Sequence, residues 1–393
     1  MAKMTIKDFD LAGKKVLIRV DFNVPLTPNL EISDDTRIRA ALPTIRYALD
    51  RGAKVILMSH LGRPKGRVVD ELRLTPVVKR LTDLLSQDVK TTSDCIGDEV
   101  NKAVNDLKDG EVLLLENVRF YEEETKNDID FAKALAALGD VFINDAFGSS
   151  HRAHASVVGV TDYLPSGAGF LLTKEIEYFE KILNNPEHPF YAILGGAKVS
   201  DKIEVINNLL NIADKILIAG GMAYTFLKAQ GIPIGASKLE EDKIELAKQI
   251  LAQANKLGKK IILPLDHIVV DEISADAKTE HVGLEIPDGK IAIDIGPKTR
   301  ELFKQELKGA RTVVWNGPLG IFEIDAFSYG TREIVEYLSG VDAVKVIGGG
   351  DTAACIEKMN LADKFSHIST GGGASLEYLE GKLLPGVGAL KEK

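Results

Sequence analysis

Lys14-Lys-Val-Leu-Ile-Arg-Val20 is a short run with apolar residues on both faces, and runs of this kind recur along the 393-residue chain. A strand that is apolar on both faces is typical of a parallel sheet that helices cover on each side. Segments with helical periodicity separate the runs, such as residues 75–85, where the apolar side chains share one helix face. The alternation predicts βαβ units and an α/β fold class.

The runs fall into two groups. Those of the first half are residues 14–20, 53–58, 111–115 and 141–144, and those after Pro189 are residues 190–194, 215–218, 260–263, 312–315, 344–347 and 367–369. A chain of this length exceeds an ordinary single domain of ~100–200 residues. We therefore predict two doubly wound Rossmann-like domains with parallel sheets.

A predicted helix separates the two groups. Thr173 can serve as its N-cap, glutamates occupy its first turn, and Asn184-Asn-Pro186 ends it because proline disfavours a helical residue before it. We predict a first domain over residues 1–172, an interdomain helix and hinge over 173–188, and a second domain over 189–376.

Composition excludes several classes of protein. The 49 Lys and Arg against 58 Asp and Glu give a net charge of −9, which argues against a protein that coats nucleic acid. Two distant cysteines, Cys95 and Cys355, indicate neither a disulfide framework nor a zinc site. No apolar stretch is long enough for a membrane span and the start lacks a signal-like apolar region, so we expect a soluble cytoplasmic protein.

Arginine is concentrated in the first half, with 11 residues up to position 185 and three after it. Arginine binds carboxylates and phosphates through a planar fork of donors, so the asymmetry indicates an anionic ligand on the first domain. Solvated surface charge is the alternative interpretation. Residues in loops that follow strands can converge at one sheet edge. Those loops hold Asp21, Asn23, His60, Arg63, Arg119, His151, Arg152 and His154, and Arg37 precedes a helix.

In the second half of the chain, glycine occupies the positions that follow apolar runs, where the first half has arginine. Four pairs or triplets follow apolar runs, at residues 195–196, 220–221, 348–350 and 371–373. Glycine lets the backbone approach a phosphate, and a helix that begins there presents free N–H groups. Since neither the Walker A motif nor GxGxxG occurs, the pattern favours a nucleotide site of another kind.

Charged and polar residues accompany these glycines. Lys198 and Lys202 lie four residues apart and could both face a polyanion, although two solvated lysines are the alternative. Asp351 follows a glycine triplet, where a carboxylate could bind nucleotide-associated Mg²⁺. Asn316 and Glu323 occupy another loop, where an amide could contact phosphate and a carboxylate could accept ribose hydroxyl groups.

Eight motifs occur in one order along almost the whole chain. They are Arg19-Val-Asp-Phe-Asn-Val-Pro25, Ser59-His-Leu-Gly-Arg-Pro64, Glu116-Asn-Val-Arg-Phe120, His151-Arg-Ala-His154, Gly195-Gly-Ala-Lys-Val-Ser-Asp-Lys-Ile203, Trp315-Asn-Gly-Pro318, Gly348-Gly-Gly-Asp351 and Thr370-Gly-Gly-Gly-Ala-Ser-Leu-Glu377. In this combination the sequence resembles the phosphoglycerate kinase family.

The resemblance implies reversible transfer of the acyl phosphate of 1,3-bisphosphoglycerate to MgADP, which gives 3-phosphoglycerate and MgATP in glycolysis. It implies a phosphoglycerate site of Asp21, Asn23, Arg37, His60, Arg63, Arg119 and Arg152 on the first domain. It also implies a nucleotide site of Lys198, Lys202, Asn316, Glu323, Gly349, Gly350, Asp351 and Thr352 on the second, with Asp351 on Mg²⁺.

The catalytic residues implied are Arg37, Lys198, Gly372 and Gly373, of which the two glycines would donate backbone N–H groups to the transferred phosphoryl group. The leaving group is a carboxylate, so the step needs alignment and charge neutralisation rather than a general base. The family further implies a monomer, a tail over residues 377–393 that returns to the first domain, and a hinge closure that excludes water.

Two other classes of protein fit parts of the pattern. A two-domain oxidoreductase on Rossmann-like sheets is disfavoured because GxGxxG is absent. A two-lobed solute-binding protein would also close on an anion, but such proteins carry an export signal that this sequence does not show.

Overall fold

The computed structural model describes residues 3–393, which form two compact units. The first unit comprises residues up to Glu177 together with Leu383–Lys393, and the second comprises Tyr178–Lys382. Both units are built on a six-stranded sheet whose neighbouring strands are all parallel. The predicted α/β fold class is confirmed.

The sheet of the first unit has the strand order β3-β4-β2-β1-β5-β6. Its strands are β1 (Lys15–Arg19), β2 (Lys54–Met58), β3 (Val89–Thr91), β4 (Val112–Leu114), β5 (Val141–Asn144) and β6 (Ser166–Ala168). The helices of this part of the chain are α1 (Thr36–Leu49), α2 (Thr75–Leu85), α3 (Asp98–Asn105), α4 (Glu122–Lys126), α5 (Ile129–Ala136) and α6 (Phe170–Asn184). Strands β1, β2 and β4 are almost entirely buried, as expected when both faces of a parallel sheet are covered.

The second unit contains the remaining strands and most of the remaining helices. The strands are β7 (Phe190–Leu194), β8 (Lys215–Ile218), β9 (Lys260–Ile262), β10 (His267–Val270), β11 (Glu280–Val282), β12 (Ile291–Ile295), β13 (Thr312–Asn316), β14 (Val344–Gly348) and β15 (His367–Ile368). The helices are α7 (Ile203–Ile212), α8 (Gly221–Ala229), α9 (Ile244–Lys256), α10 (Pro297–Leu307), α11 (Tyr329–Ser339), α12 (Gly350–Lys358) and α13 (Gly372–Leu379).

The parallel sheet of the second unit has the order β15-β14-β13-β7-β8-β9. If the six strands are numbered along the chain and the sheet is read from β9 to β15, the order is 3-2-1-4-5-6, which is that of the Rossmann fold. The strand order reverses between β7 and β13. In the first unit the reversal falls between β1 and β5. Ligands bind outside the carboxyl ends of strands at such points, so the strand order alone selects one sheet edge in each unit.

An antiparallel sheet of three strands, in the order β11-β10-β12, accompanies the second parallel sheet. The sequence analysis did not anticipate it. Strand β11 spans only three residues and is largely exposed, and β12 contains Asp294 inside an apolar run. Neither feature carries a strong strand signal.

Helix α6 begins at Phe170, three residues before the predicted N-cap, Thr173. The correction has a tertiary cause, because residues distant in sequence accept the first free N–H groups of the helix. Thr44 Oγ1 accepts from the Phe170 N–H at 2.9 Å and Asp145 Oδ1 accepts from the Leu172 N–H at 3.1 Å. Thr173 lies within the first turn, and its hydroxyl donates to the carbonyl of Gly169.

The last segment of the chain packs on the first unit. Helix α14 (Pro385–Gly388) is joined to the loop after β5, since Asn144 Nδ2 donates to the carbonyl of Gly386 and the Gly386 N–H donates to Ser150 O. Residues 377–382 of the predicted tail are instead grouped with the second unit, where Asn208 Nδ2 donates to Leu379 O at 2.7 Å. No helix within residues 3–393 is long and apolar enough to cross a membrane.

Candidate functional site

The carboxyl edge of the first sheet carries the predicted anion-binding residues. Asp21 and Asn23 follow β1, and the Asp21 carboxylate lies 3.0 Å from a guanidinium nitrogen of Arg37, in the first turn of α1. Asn23 Oδ1 accepts a hydrogen bond from the N–H of Gly62, in the loop after β2. These contacts hold the loops after β1 and β2 and the start of α1 together at the predicted edge.

His60 lies at the centre of this edge and is 4% exposed. Its Nδ1 lies 3.1 Å from a guanidinium nitrogen of Arg19, the last residue of β1. Burial, together with the charges of Arg19, Arg119 and Arg37, holds the pKa of His60 well below its ordinary value. The imidazole is therefore neutral, with one N–H to donate.

The predicted arginines differ in exposure. Arg119 is half-buried and donates to Gly62 O, and burial together with the charge of Arg19 lowers its pKa to about 10. Its Nε is buried and has no hydrogen-bond partner among the described residues. Arg63 and Arg152 are exposed, and no carboxylate within residues 3–393 forms an ion pair with either. The edge thus combines buried cations with unpaired surface arginines, an arrangement suited to a polyanion.

The glycine loops of the second unit meet at the reversal point of its sheet. Gly195 follows β7 and Gly317 follows β13, and a Cβ added at Gly195 would lie 2.0 Å from the carbonyl oxygen of Pro318. Gly220 has a φ of +69°, and a Cβ added there would lie 2.7 Å from the backbone of Gly196. Side chains are excluded here, so the backbone itself forms the surface.

Two helices begin at this edge. Gly349 precedes α12 with a φ of +97°, and Gly350, Asp351 and Thr352 form the first turn. Helix α13 begins at Gly372 and Gly373, and a Cβ on Gly372 would lie 3.8 Å from the nitrogen of Gly350. The first N–H groups of a helix lack partners within it, so two positive helix ends lie next to each other.

Lys202 is a buried cation at the same edge, with an exposed fraction of 6%. Its ammonium group donates to both the backbone oxygen of Asn316, at 3.3 Å, and its side-chain oxygen. Burial lowers the pKa of Lys202 to about 8, against the opposing effect of Asp201 and Asp351. Lys198 is exposed on the loop before it.

Two buried polar atoms at this edge have no hydrogen-bond partner among the described residues. They are Asn316 Nδ2 at the end of β13 and Thr352 Oγ1 in the first turn of α12. Buried polar groups are almost always hydrogen-bonded in native proteins, so an unsatisfied pair points to a ligand that supplies the partners. The oxygens of a phosphate chain can accept from both groups.

Asp351 is the predicted metal ligand. Its side chain is accessible to solvent, but neighbouring protein atoms remove part of its hydration. This desolvation and the nearby charge of Glu323 raise its pKa, while Lys202 opposes the shift. The described residues contain no group of three or more His, Cys, Asp or Glu side chains that could hold a metal by themselves. A single carboxylate in the first turn of a helix whose N–H groups are free nevertheless fits Mg²⁺ bound to a phosphate, since Mg²⁺ binds through one or two carboxylates plus phosphate oxygens and water.

A cavity of about 310 Å³ adjoins these loops. Its walls combine glycine backbone with the aliphatic side chains Ile273, Ile291, Ile293 and Ile321, and Glu323 and Asp351 also line it. Tyr224 and Lys238 are lining residues that the sequence analysis did not select. A flat apolar base fits such a cavity, with a carboxylate available to hydroxyl groups.

Two curated relatives match this sequence over its whole length. The family model for phosphoglycerate kinase matches residues 6–382. The phosphoglycerate kinases of Moorella thermoacetica and Dictyoglomus turgidum are 58% and 57% identical to this chain, over 100% of both sequences in each case.

Solved structures give the same result. The phosphoglycerate kinase of Coxiella burnetii superposes with a TM-score of 0.87 at 40% identity, and that of Pyrococcus horikoshii OT3 with 0.88 at 34% identity, each over 98% of both chains. The protein is therefore a member of the phosphoglycerate kinase family.

Proposed function

We propose that this protein catalyses reversible phosphoryl transfer between the acyl phosphate of 1,3-bisphosphoglycerate and MgADP. The observation that carries the proposal is that each unit has a distinct cluster of groups suited to an anion at the reversal point of its doubly wound sheet. One is lined by guanidinium and imidazole groups, and the other by helix N-termini, glycine backbone and a buried lysine.

The first site suits phosphoglycerate. We assign Arg37, His60, Arg63, Arg119 and Arg152 to its phosphate and carboxylate groups, since these side chains supply only N–H donors to an anion in the states described. Asp21 and Asn23 supply oxygen acceptors for the substrate hydroxyl group. Asp21 also orients the Arg37 guanidinium through their 3.0 Å contact.

The second site suits a nucleoside diphosphate or triphosphate. We assign the phosphate chain to Lys198, Lys202, Asn316 and the N–H groups of Gly349, Gly350 and Thr352, and the ribose hydroxyls to Glu323. Asp351 would hold Mg²⁺, which supplies charge neutralisation on the phosphate oxygens when bound. Gly372 and Gly373 lie beside the start of α12, where their N–H groups can donate to the transferred group.

The chemical step needs no general base, because the ADP oxygen is already ionised and the carboxylate is a good leaving group. The requirement is to align two polyanions and to neutralise charge on an in-line, metaphosphate-like transition state. We assign that charge neutralisation to Arg37 of the first unit and Lys198 of the second. Exclusion of water protects the acyl phosphate from hydrolysis, so we propose that transfer follows a closure in which α6 serves as hinge.

The proposal extends to the oligomeric state, the cellular location and the metal. We propose a monomer that acts in the cytoplasm with Mg²⁺ as its metal, in line with its family.

The test is MgATP-dependent turnover of 3-phosphoglycerate, with 1,3-bisphosphoglycerate detected by a separately purified dehydrogenase. We expect turnover that requires all three of 3-phosphoglycerate, ATP and Mg²⁺. A folded protein that binds 3-phosphoglycerate without turnover at any MgATP concentration contradicts the proposed activity.

A further inference from the structure

A completely buried guanidinium lies behind the phosphoglycerate edge. Arg19 has no exposed surface, and each of its three guanidinium nitrogens contacts a polar atom. Nε donates to Ser156 Oγ at 2.8 Å, one terminal nitrogen donates to the carbonyl of Val20, and the other lies 3.1 Å from His60 Nδ1. A buried charge of this kind requires a counter-charge.

Glu124 of α4 provides that counter-charge through Ser156. It is also completely buried, and it accepts from the Ser156 hydroxyl at 2.6 Å and from the Ser156 N–H at 2.9 Å. Burial would raise the pKa of Glu124, but nearby His154, the charge of Arg19 and the Ser156 hydrogen bond lower it. Because the Ser156 hydroxyl donates to Glu124 and accepts from Arg19, one chain of contacts joins carboxylate to guanidinium.

The same chain decides which imidazole nitrogen of His60 carries the proton. A guanidinium has only N–H donors, so a hydrogen bond between Arg19 and His60 Nδ1 requires Nδ1 to accept. The proton of the neutral ring must then be on Nε2. A doubly protonated ring would oppose one N–H to another inside a buried contact, next to the further positive groups Arg37 and Arg119.

We propose that Glu124, Ser156 and Arg19 form a positioning relay that keeps His60 neutral with its proton on Nε2, where it donates to the anion. The identity of that anion as phosphoglycerate rests on the proposed function. The location of the proton does not, because it follows from the contacts of the protein alone. Glu124 and Ser156 act through Arg19 and are positioning residues.

Nitrogen NMR of the ring-labelled full-length protein tests the relay directly, since a protonated ring nitrogen and an acceptor ring nitrogen give well-separated resonances. In the wild type we expect one His60 tautomer, protonated at Nε2, that persists from neutral to mildly acidic pH. A wild-type ring protonated at Nδ1, or an imidazolium at neutral pH, overturns the proposal without any variant.

Two variants weaken the relay by different chemistry. Ser156→Ala removes the hydroxyl between Arg19 and Glu124, and Glu124→Gln removes the counter-charge with little change of shape. Glu123→Gln is the matched control, because it removes one negative charge from an exposed position of the same helix. We expect a mixture of His60 tautomers in the first two proteins and the wild-type spectrum in the control.

Steady-state kinetics separate a positioning role from a general loss of structure. We expect the KM for 3-phosphoglycerate to rise by about tenfold in Ser156→Ala, the scale of one lost buried hydrogen bond, with the KM for MgATP unchanged. A spectrum that keeps one Nε2-protonated tautomer in both variants overturns the relay. If the variants shift the tautomer but the wild type turns over no 3-phosphoglycerate, the relay is supported and the proposed function is contradicted.

Discussion

Replacing Lys202 by methionine should stabilise the protein at neutral pH while it weakens nucleotide binding. Burial lowers the pKa of Lys202 from its ordinary value of 10.5 to about 8, so the folded state holds the ammonium group at a cost. One pKa unit corresponds to about 1.4 kcal/mol, which gives a cost of about 3 kcal/mol at pH 7. Methionine fills a similar volume without charge, but it leaves Asn316 Oδ1 without its donor, a loss of about 1–2 kcal/mol. The net expectation is a gain of about 1–2 kcal/mol in the free energy of unfolding.

The pH dependence provides a second test of this reasoning. Above the folded pKa of Lys202 the unfolded state binds more protons than the folded state, so wild-type stability rises as pH increases from about 8 towards 10.5. The burial cost falls to about 1 kcal/mol at pH 9.5, and the advantage of the variant should disappear there.

Urea unfolding of the ligand-free proteins, monitored by circular dichroism at both pH values, measures these differences. Lys198→Met is the matched control, because it removes the same charge from an exposed position four residues away and should give no gain. Titration with MgADP measures the expected loss of affinity. A Lys202→Met protein that is less stable than wild type at neutral pH, or whose advantage persists unchanged at the higher pH, refutes the burial argument.

Three other substitutions address the two anion sites. Arg63→Ala should weaken 3-phosphoglycerate binding by about tenfold in calorimetric titration, since one charge-assisted contact is lost. Arg67→Ala on the same loop should leave the affinity unchanged. Equal effects of the two substitutions would contradict the assignment of Arg63 to the anion site. Lys198→Ala should lower kcat far more than it weakens 3-phosphoglycerate binding, and equal losses in both would remove its role in the transition state. Gly195→Ala should abolish MgADP binding, because the added Cβ would lie 2.0 Å from Pro318 O. The control Gly283→Ala meets no atom within 4 Å and should bind MgADP normally. MgADP affinity retained in Gly195→Ala would show that the loop can move aside.

The parallel sheets were largely predictable because their strands are apolar on both faces. All ten predicted runs contain strands, whereas β3 and β6 have only three residues each and were missed. The start of α6 was misplaced because its N–H groups are capped by Thr44 and Asp145, which no local pattern reveals.

The candidate site was predictable in residue type and less so in its environment. Glycine loops and loop arginines are visible in the sequence, and their convergence follows from strand order. The burial of Arg19 and Glu124 was not visible in the sequence, because a charged side chain is buried only when residues distant in sequence form hydrogen bonds or ion pairs with it. The same is true of Lys202: burial lowers its pKa, and its ammonium group donates to Asn316, more than a hundred positions away.

The tail that packs on the first unit has a consequence for the order in which the protein is made. The second unit is one uninterrupted stretch, Tyr178–Lys382, but the first lacks its contacts to α14 until residues 383–393 have been synthesised. Asn144 Nδ2 and the carbonyl of Ser150 therefore lack their hydrogen bonds to Gly386 when the second unit is already complete. Domains usually fold from the amino end during synthesis, and here the amino-terminal unit is the one that is finished last.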